Sequence, residues 1–275
     1  MSVVTAAGDA SVIERRGRVT PGRVLADTLV VTERNLIALV RIPEAVFFSS
    51  VQPIMFVLLF RYVFGGAIRV SDPGGYVNYL LPGVFVQTVT FGAVQTAIGL
   101  AEDLQKGIVE RFRSLPMARS AVLAGRTVAD LCRNVLVTVL ITGVGFAVGF
   151  RVETSLGGFL AAVLLILAFS YALSWGFAVI GLSAPNSETA QVMSFPLLFP
   201  LTFASSAFVP VATMPGWLQG WAKYQPVSEV IDAVRGLMVS GVPDVAWHVE
   251  VSVMWLVGVF VVLAPLAVHR YRTRV

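Results

Sequence analysis

Glu102, Lys106 and Glu110 stand four residues apart, a spacing that brings alternating charges onto one face of a helix and lets neighbours pair. Leu104, Ile108, Phe112 and Leu115 follow at intervals of four, four and three, which lays an apolar stripe along another face of the same segment. Pro116 disfavours helix at Leu115 and ends the element. A short two-faced helix between Ala101 and Thr127 has the chemistry of a docking element for a groove in a soluble protein. The same stripe would also rest on a bilayer surface.

Other residue types offer less. Phe195, Phe199 and Phe203 recur every four residues with Pro196 and Pro200 between them, a stripe suited to a flat amphiphile or a lipid tail and equally to packing. Cys132 is the single cysteine, so it makes no internal disulfide, and its apolar surroundings predict simple packing. His248 and His269 lie at the two ends of the last apolar run, with no Cys or His partners at metal-ligand spacing. Neither lysine sits in a glycine-rich phosphate loop, so an ATPase site is not expected in this chain. No charged residue falls near the middle of an apolar run, which disfavours an ion-coupled transporter. A lipid-modifying membrane enzyme would show a cluster of His, Asp or Glu at one membrane face, and none stands out.

The elements that must position these residues follow from composition. The chain of 275 residues is 56% hydrophobic and 13% charged, with a mean hydropathy of +0.81. Soluble domains carry about 25% charged residues, so an ordinary soluble enzyme and a disordered chain are both excluded. Apolar runs at 43–64, 78–100, 129–150, 157–182, 190–209 and 249–268 are read as six transmembrane helices in an all-α integral membrane fold. Residues 1–42 form a polar N-terminal segment without the apolar core of a secretory signal. Within it Leu25, Leu29, Leu36 and Leu39/Val40 predict an amphipathic helix on the membrane surface. Residues 43–269 are the transmembrane domain, and 270–275 are a basic tail.

With the N-terminus inside, the inner segments hold 15 of the 20 Lys and Arg and the outer segments 5. That imbalance predicts a cell-membrane protein with both termini cytoplasmic. The net charge of +4 spread over loops reads as orientation, not nucleic-acid binding. Beyond the fifth run, Trp217, Leu218, Trp221 and Tyr224 line one side of a short segment suited to the outer interface. Val227 to Met238 predicts a second short helix in which Asp232 and Arg235 pair.

The segment Glu102–Pro116 resembles the coupling loop of ABC-2 type permeases: an acidic start at Glu102 and Asp103, a central Gly107, a following acidic Glu110, and Pro116. Ile108 stands where many such loops carry threonine. Leu58–Ile68, Arg113–Ser120 with Gly125-Arg126, Phe208-Val209-Pro210, Met214–Leu218 and Gln225-Pro226-Val227 are similar to the daunorubicin-resistance (DrrB-like) branch, in the expected order from Arg41 to the C-terminus. The resemblance implies an ABC-2, type V exporter-like half-transporter with a cytoplasmic coupling helix and short re-entrant outer helices. It implies two copies of a separate ATP-binding subunit, which would hold ATP and Mg, and a second permease that is either a copy or a paralogue. Glu102, Asp103, Lys106, Gly107, Glu110 and Arg111 would meet the ATPase mechanically, and Phe195, Phe199 and Phe203 would border the path of a hydrophobic or lipid-like cargo. Drug or antibiotic export is the first reading, a cell-envelope lipid or glycolipid the second, and an integral membrane lipid-modifying enzyme the rival.

Overall fold

The computed structural model describes residues 21–41, 43–66, 75–109 and 119–274. Among these, nine α-helices and no strand occur. They are α1 (Pro21–Arg41), α2 (Pro43–Leu59, continuing as a π-helical turn Phe60–Phe64), α3 (Gly75–Gln105), α4 (Arg119–Ala147), α5 (Leu156–Ser183), α6 (Ser187–Phe203), α7 (Gly216–Tyr224), α8 (Pro226–Met238) and α9 (Val245–Arg274). Arg15, Arg16, Arg18, Arg69 and the stretch from Glu110 to Ala118 lie outside the described residues.

Helix α3 is apolar on all sides, which is how a helix reads when it is surrounded by others. Leu80, Leu81, Val84, Val89, Ala93 and Ala97 are fully buried, and α3 packs against α5, α6, α4, α8 and α2. Its 31 residues span about 46 Å at 1.5 Å per residue. Among the described residues, four helices are long and apolar enough to cross a membrane: Gly75–Gln105, Ser120–Ala147, Leu156–Ser183 and Val245–Arg274. The described apolar part of α2 (Ser50–Phe64) and the 17-residue α6 fall short of that length. Where α5 and α6 begin, their first amides are capped locally: Ser155 Oγ accepts from Gly158 N, and Asn186 Oδ1 accepts from Thr189 N at 2.7 Å.

The far end of the bundle is closed by α7, α8 and the irregular stretch after α6. That stretch leaves carbonyls without helical partners, which hydrocarbon cannot solvate. Side chains take over. Gln225 Nε2 donates to Leu201 O (2.9 Å) and Ala204 O (3.4 Å). Tyr79 Oη and Arg235 Nη2 both donate to Ser206 O, at 3.0 and 2.8 Å, and Tyr76 Oη donates to Phe208 O. Arg235 lies over the Tyr79 ring at 3.9 Å and pairs with Asp232 at 2.5 Å, the pairing expected from their spacing. On α7, Trp217, Trp221 and Tyr224 are exposed along one side.

Three sequence expectations are refined. Glu102 to Leu115 is not one separate short helix: α3 runs unbroken through Gln105 and stops because Gly107 adopts φ +67, with its N–H returned to Leu104 O. Glu102, Asp103 and Leu104 therefore form the last turn of a long helix. On α1 the buried face is Val31 and Thr32, with Thr32 Oγ1 donating to Gly125 O of α4, whereas Leu25 and Leu29 are exposed. Cys132 is exposed on α4 and not packed inside.

In the loop before α5, Glu153 receives Ser240 Oγ at 2.5 Å and Asn78 Nδ2 at 2.7 Å, which ties the start of α3 to the end of α8. The Ser240 hydroxyl above all holds the Glu153 carboxyl below the ordinary glutamate range. A depressed carboxyl stabilises the fold above the unfolded glutamate value, and that contribution disappears as pH falls through the folded value. Thermal unfolding of the purified chain between pH 6 and 3 is expected to show an acid loss of stability that is smaller in Glu153→Gln. Identical acid slopes for the two proteins would contradict the clamp.

Candidate functional site

Charged side chains on three helices interlock at the α1 end. Arg34 of α1 donates Nη2 to both Asp103 oxygens, at 3.2 and 3.1 Å. Arg126 of α4 reaches the same carboxylate at 3.9 Å and stands 3.5 Å from Asp130, while Arg133 pairs with Asp130 at 3.5 Å. Asp130 also accepts from Thr96 Oγ1 of α3 at 2.6 Å. Arginine and aspartate thus alternate from the surface inward, and Asp130, Arg133 and Thr96 are buried. A buried charge is tolerable only when paired and hydrogen-bonded, and each member of this ladder supplies that for the next.

Gly99 makes the ladder possible. A β-carbon there would fall 1.6 Å from Arg126 Nη2, so the guanidinium occupies the space a side chain would fill. From that seat it also donates to Gln95 O.

The inner end of the ladder opens into a cavity of about 330 Å³ between α2, α3, α4 and α6. Arg133 reaches it with Nη2 donating to Gly92 O at 2.7 Å, near the middle of α3. Gln52, Gln87, Thr88 and Gln191 add polar groups to the lining. Aromatic rings complete the lining: Phe56 of α2, Phe91 of α3, and Phe195 and Phe199 of α6. Phe203 does not line it. It stacks on Phe199 (5.2 Å) and Phe208 (5.6 Å), and Phe208 stacks in turn on Phe60 at 4.5 Å. An aromatic ladder therefore runs from the cavity towards the α7–α8 end, along α6 and α2.

The residues expected at a docking turn are found in different roles. Glu102 and Lys106 are exposed and pair at 2.5 Å, and the Glu102 carboxylate holds the Lys106 ammonium above the ordinary lysine value. Gly107 makes the turn, and Asp103 is engaged by Arg34 and Arg126. Glu110 and Arg111 lie outside the described residues. Sequence reasoning missed Arg133, Asn134 and Gln87. Arg133 sits just inside the third apolar run, where it reads as an edge charge that would extend to the surface. Its side chain instead points inward, because Asp130 and the Gly92 carbonyl receive it there. Asn134 is buried, donates to Ser170 at 2.6 Å and lies against Gly92.

A helical bundle with spans of membrane length, a paired charge ladder at one end and a cavity lined by polar and aromatic side chains within it belongs among integral membrane proteins. The ABC-2 type transporter family profile matches residues 26–239, and the chain belongs to that family. It is similar to the daunorubicin resistance ABC transporter permease of Streptomyces coeruleorubidus, 35% identical over 258 residues that cover 92% of this chain and 89% of that protein. A probable doxorubicin resistance ABC transporter permease of Mycobacterium tuberculosis is 28% identical over 246 residues, 89% of this chain and 88% of its own length. An inner membrane transport permease of Escherichia coli is 24% identical over 194 residues, 68% of this chain and 74% of its own.

Asp130→Ala is expected to leave Arg133 and Arg126 short of a buried counter-charge and to destabilise the protein by about 3–5 kcal/mol. Gly99→Val, which evicts Arg126 from its seat, is expected to cost about 1–3 kcal/mol. Unfolding midpoints in a fixed detergent measure both, and an Asp130→Ala midpoint equal to that of the native chain would rule out the ladder as a stabilising element.

Proposed function

We propose that this chain is the membrane-spanning permease subunit of an ATP-binding cassette exporter. It crosses the cell membrane six times, through α2, α3, α4, α5, α6 and α9, with both ends in the cytoplasm. Two copies of a separate ATP-binding subunit supply the energy, and a second permease, a copy or a paralogue, completes the path. The cargo is a hydrophobic or amphiphilic compound, a drug or antibiotic ahead of an envelope lipid. Family membership across residues 26–239 is the observation that carries this reading. The names of the Streptomyces and Mycobacterium relatives support drugs as cargo.

Three features of the fold are consistent with it. The turn at Lys106–Gly107 projects from the end of α3 with Glu102 exposed beside it, so a partner can reach it. Asp103, one residue further along α3, connects that turn to Arg126 and through Asp130 to Arg133 in the cavity. A push on the turn therefore has a rigid polar route to the cavity wall. The aromatic ladder offers an apolar body a continuous surface from the cavity to the α7–α8 end. The exposed Leu25 and Leu29 on α1 suit the cytoplasmic leaflet, with the opposite face held on α4.

The test is purification of the full chain from its native membrane in a mild detergent. A stoichiometric companion bearing a phosphate-binding loop, with vanadate-sensitive ATPase activity, is the expected result. A pure chain without ATPase would return the lipid-modifying enzyme to the front. Glu110→Lys is expected to reduce recovery of the companion several-fold. Phe199→Ala is expected to lower export of an aromatic drug from cells by about tenfold while leaving the companion bound.

A further inference from the structure

Away from the cavity, a groove of about 560 Å³ lies open on the outside of the bundle between α5 and α9. Trp175 of α5 forms one side, with Phe260 of α9 edge-on to it at 5.9 Å. Val261, Ala264, Pro265 and Val268 of α9 form the other side. The two basic side chains of the groove, His269 and Arg272, stand together at one end. From Phe260 to Arg272 the helix advances twelve residues, about 18 Å at 1.5 Å per residue. Half of a typical hydrocarbon core is about 15 Å, so the groove has the length of one leaflet, with its basic end at headgroup level. Charge around that end is one-sided. Arg270, Arg272 and Arg274 alternate along the last turns of α9, and α5 carries no acidic residue over Leu156–Ser183. Glu250, the last Asp or Glu in the sequence, stands nineteen residues before His269, at the other end of α9. Arg274 is committed to α5, where its Nη1 donates to Leu182 O. His269 and Arg272 are exposed, and among the described residues no carboxylate pairs with either.

We propose that this groove holds one anionic phospholipid from the leaflet that meets the basic end of α9, which is the cytoplasmic leaflet under the orientation proposed above. The lipid phosphate receives the Arg272 fork and a ring N–H of His269. One acyl chain lies along Val268, Pro265 and Val261, against the rings of Trp175 and Phe260. A guanidinium–phosphate pair joins charge to two parallel hydrogen bonds, which fixes a headgroup in orientation as well as in place. Trp175 is already set by edge contacts to Tyr171 and Phe260, so the chain packs on a preformed surface and orders little of it. Charge selects among lipids. A zwitterionic head brings its own ammonium close to Arg272, with no carboxylate in the groove to receive it, and so gains less than a head of net negative charge. The bound lipid bridges α5 and α9, and a ligand that binds only the folded chain raises its stability.

Two photo-crosslinking lipids test this: phosphatidylglycerol and phosphatidylcholine with the same diazirine-bearing acyl chain. Each is added at one low mole fraction to vesicles of unlabelled phosphatidylcholine that hold the full-length chain, and labelled peptides are mapped by mass spectrometry. Peptides carrying Trp175 and Phe260–Val268 are expected to take up about fivefold more of the anionic lipid. Arg272→Gln combined with His269→Gln is expected to abolish that preference. Arg270→Gln, which removes the same formal charge from a position outside the groove, is expected to preserve it. Val261→Trp fills the groove from an exposed position and is expected to block labelling by both lipids. Phosphatidylglycerol is also expected to raise the unfolding midpoint of the native chain and not that of the double variant, with helical content verifying that each variant folds. Equal labelling by the two lipids, or a preference that survives the double variant, overturns the proposal. So does a preference that Arg270→Gln erases as fully, because the basic tail then acts as diffuse charge and not as a site. Groove peptides labelled by neither lipid in the folded chain mean that protein covers the groove, which overturns it as well. Protease access to the C-terminus in sealed vesicles tests the orientation separately. If that end is outside while labelling follows the expected pattern, the lipid site stands and the orientation reading falls.

Discussion

Asp130 is the residue on which the rest of the arrangement turns. Among the described residues it is the carboxylate that pairs with Arg133, and it shares itself between Arg133, Arg126 and Thr96. Without it, two guanidinium groups in the interior of a bundle would repel each other with nothing to offset their desolvation. With it, the orientation of α4 about its own axis is fixed, because Asp130 and Thr96 must face each other. That facing sets Arg126 into the gap at Gly99 and within reach of Asp103, and Asp103 in turn holds Arg34 and so α1. One carboxylate in the correct place thereby positions three helices.

The two ends of the bundle meet the same requirement with different chemistry. At the α1 end, ion pairs satisfy charges. At the far end, Gln225, Arg235, Tyr76 and Tyr79 satisfy carbonyls that leave the helix after Phe203. Between the two ends Gln87 Nε2 is buried without a hydrogen-bond partner, as are Asn35 Nδ2 and Arg126 Nε at the α1 end. Gln87 lies where α2, α3, α4 and α6 leave a cavity between them, lined by both amides and phenylalanines.

Much of the fold was legible because membrane helices obey few rules. Apolar length located α3, α4, α5 and α9, and side-chain spacing located the short α7 and α8. The family resemblance was legible from ordered motifs across the chain. What was not legible depended on direction. A helical wheel grouped the leucines of α1 on one face but gave no sign that Val31 and Thr32 would seat on α4. Spacing grouped Glu102 with Leu115, whereas the left-handed conformation of Gly107 divides them. Arg133 lay near a span boundary by residue number, and only its partners reveal that its charge is carried inward. Long side chains move charge by the length of their arms, and sequence position does not record which way.

The shortness of α6 has a consequence for the lipid around it. Seventeen residues cover about 26 Å, less than the roughly 30 Å of a typical hydrocarbon core. Gln225 and Arg235 then hold polar groups at a depth that acyl chains would otherwise occupy. Under the proposed spanning arrangement, the surrounding leaflet must thin to meet them, at a fraction of a kcal/mol for each ångström of mismatch. A depression of that kind brings headgroups and water down to the foot of the aromatic ladder. An amphiphile leaving along Phe203 and Phe208 would then meet water several ångströms earlier than beside the 30-residue α9.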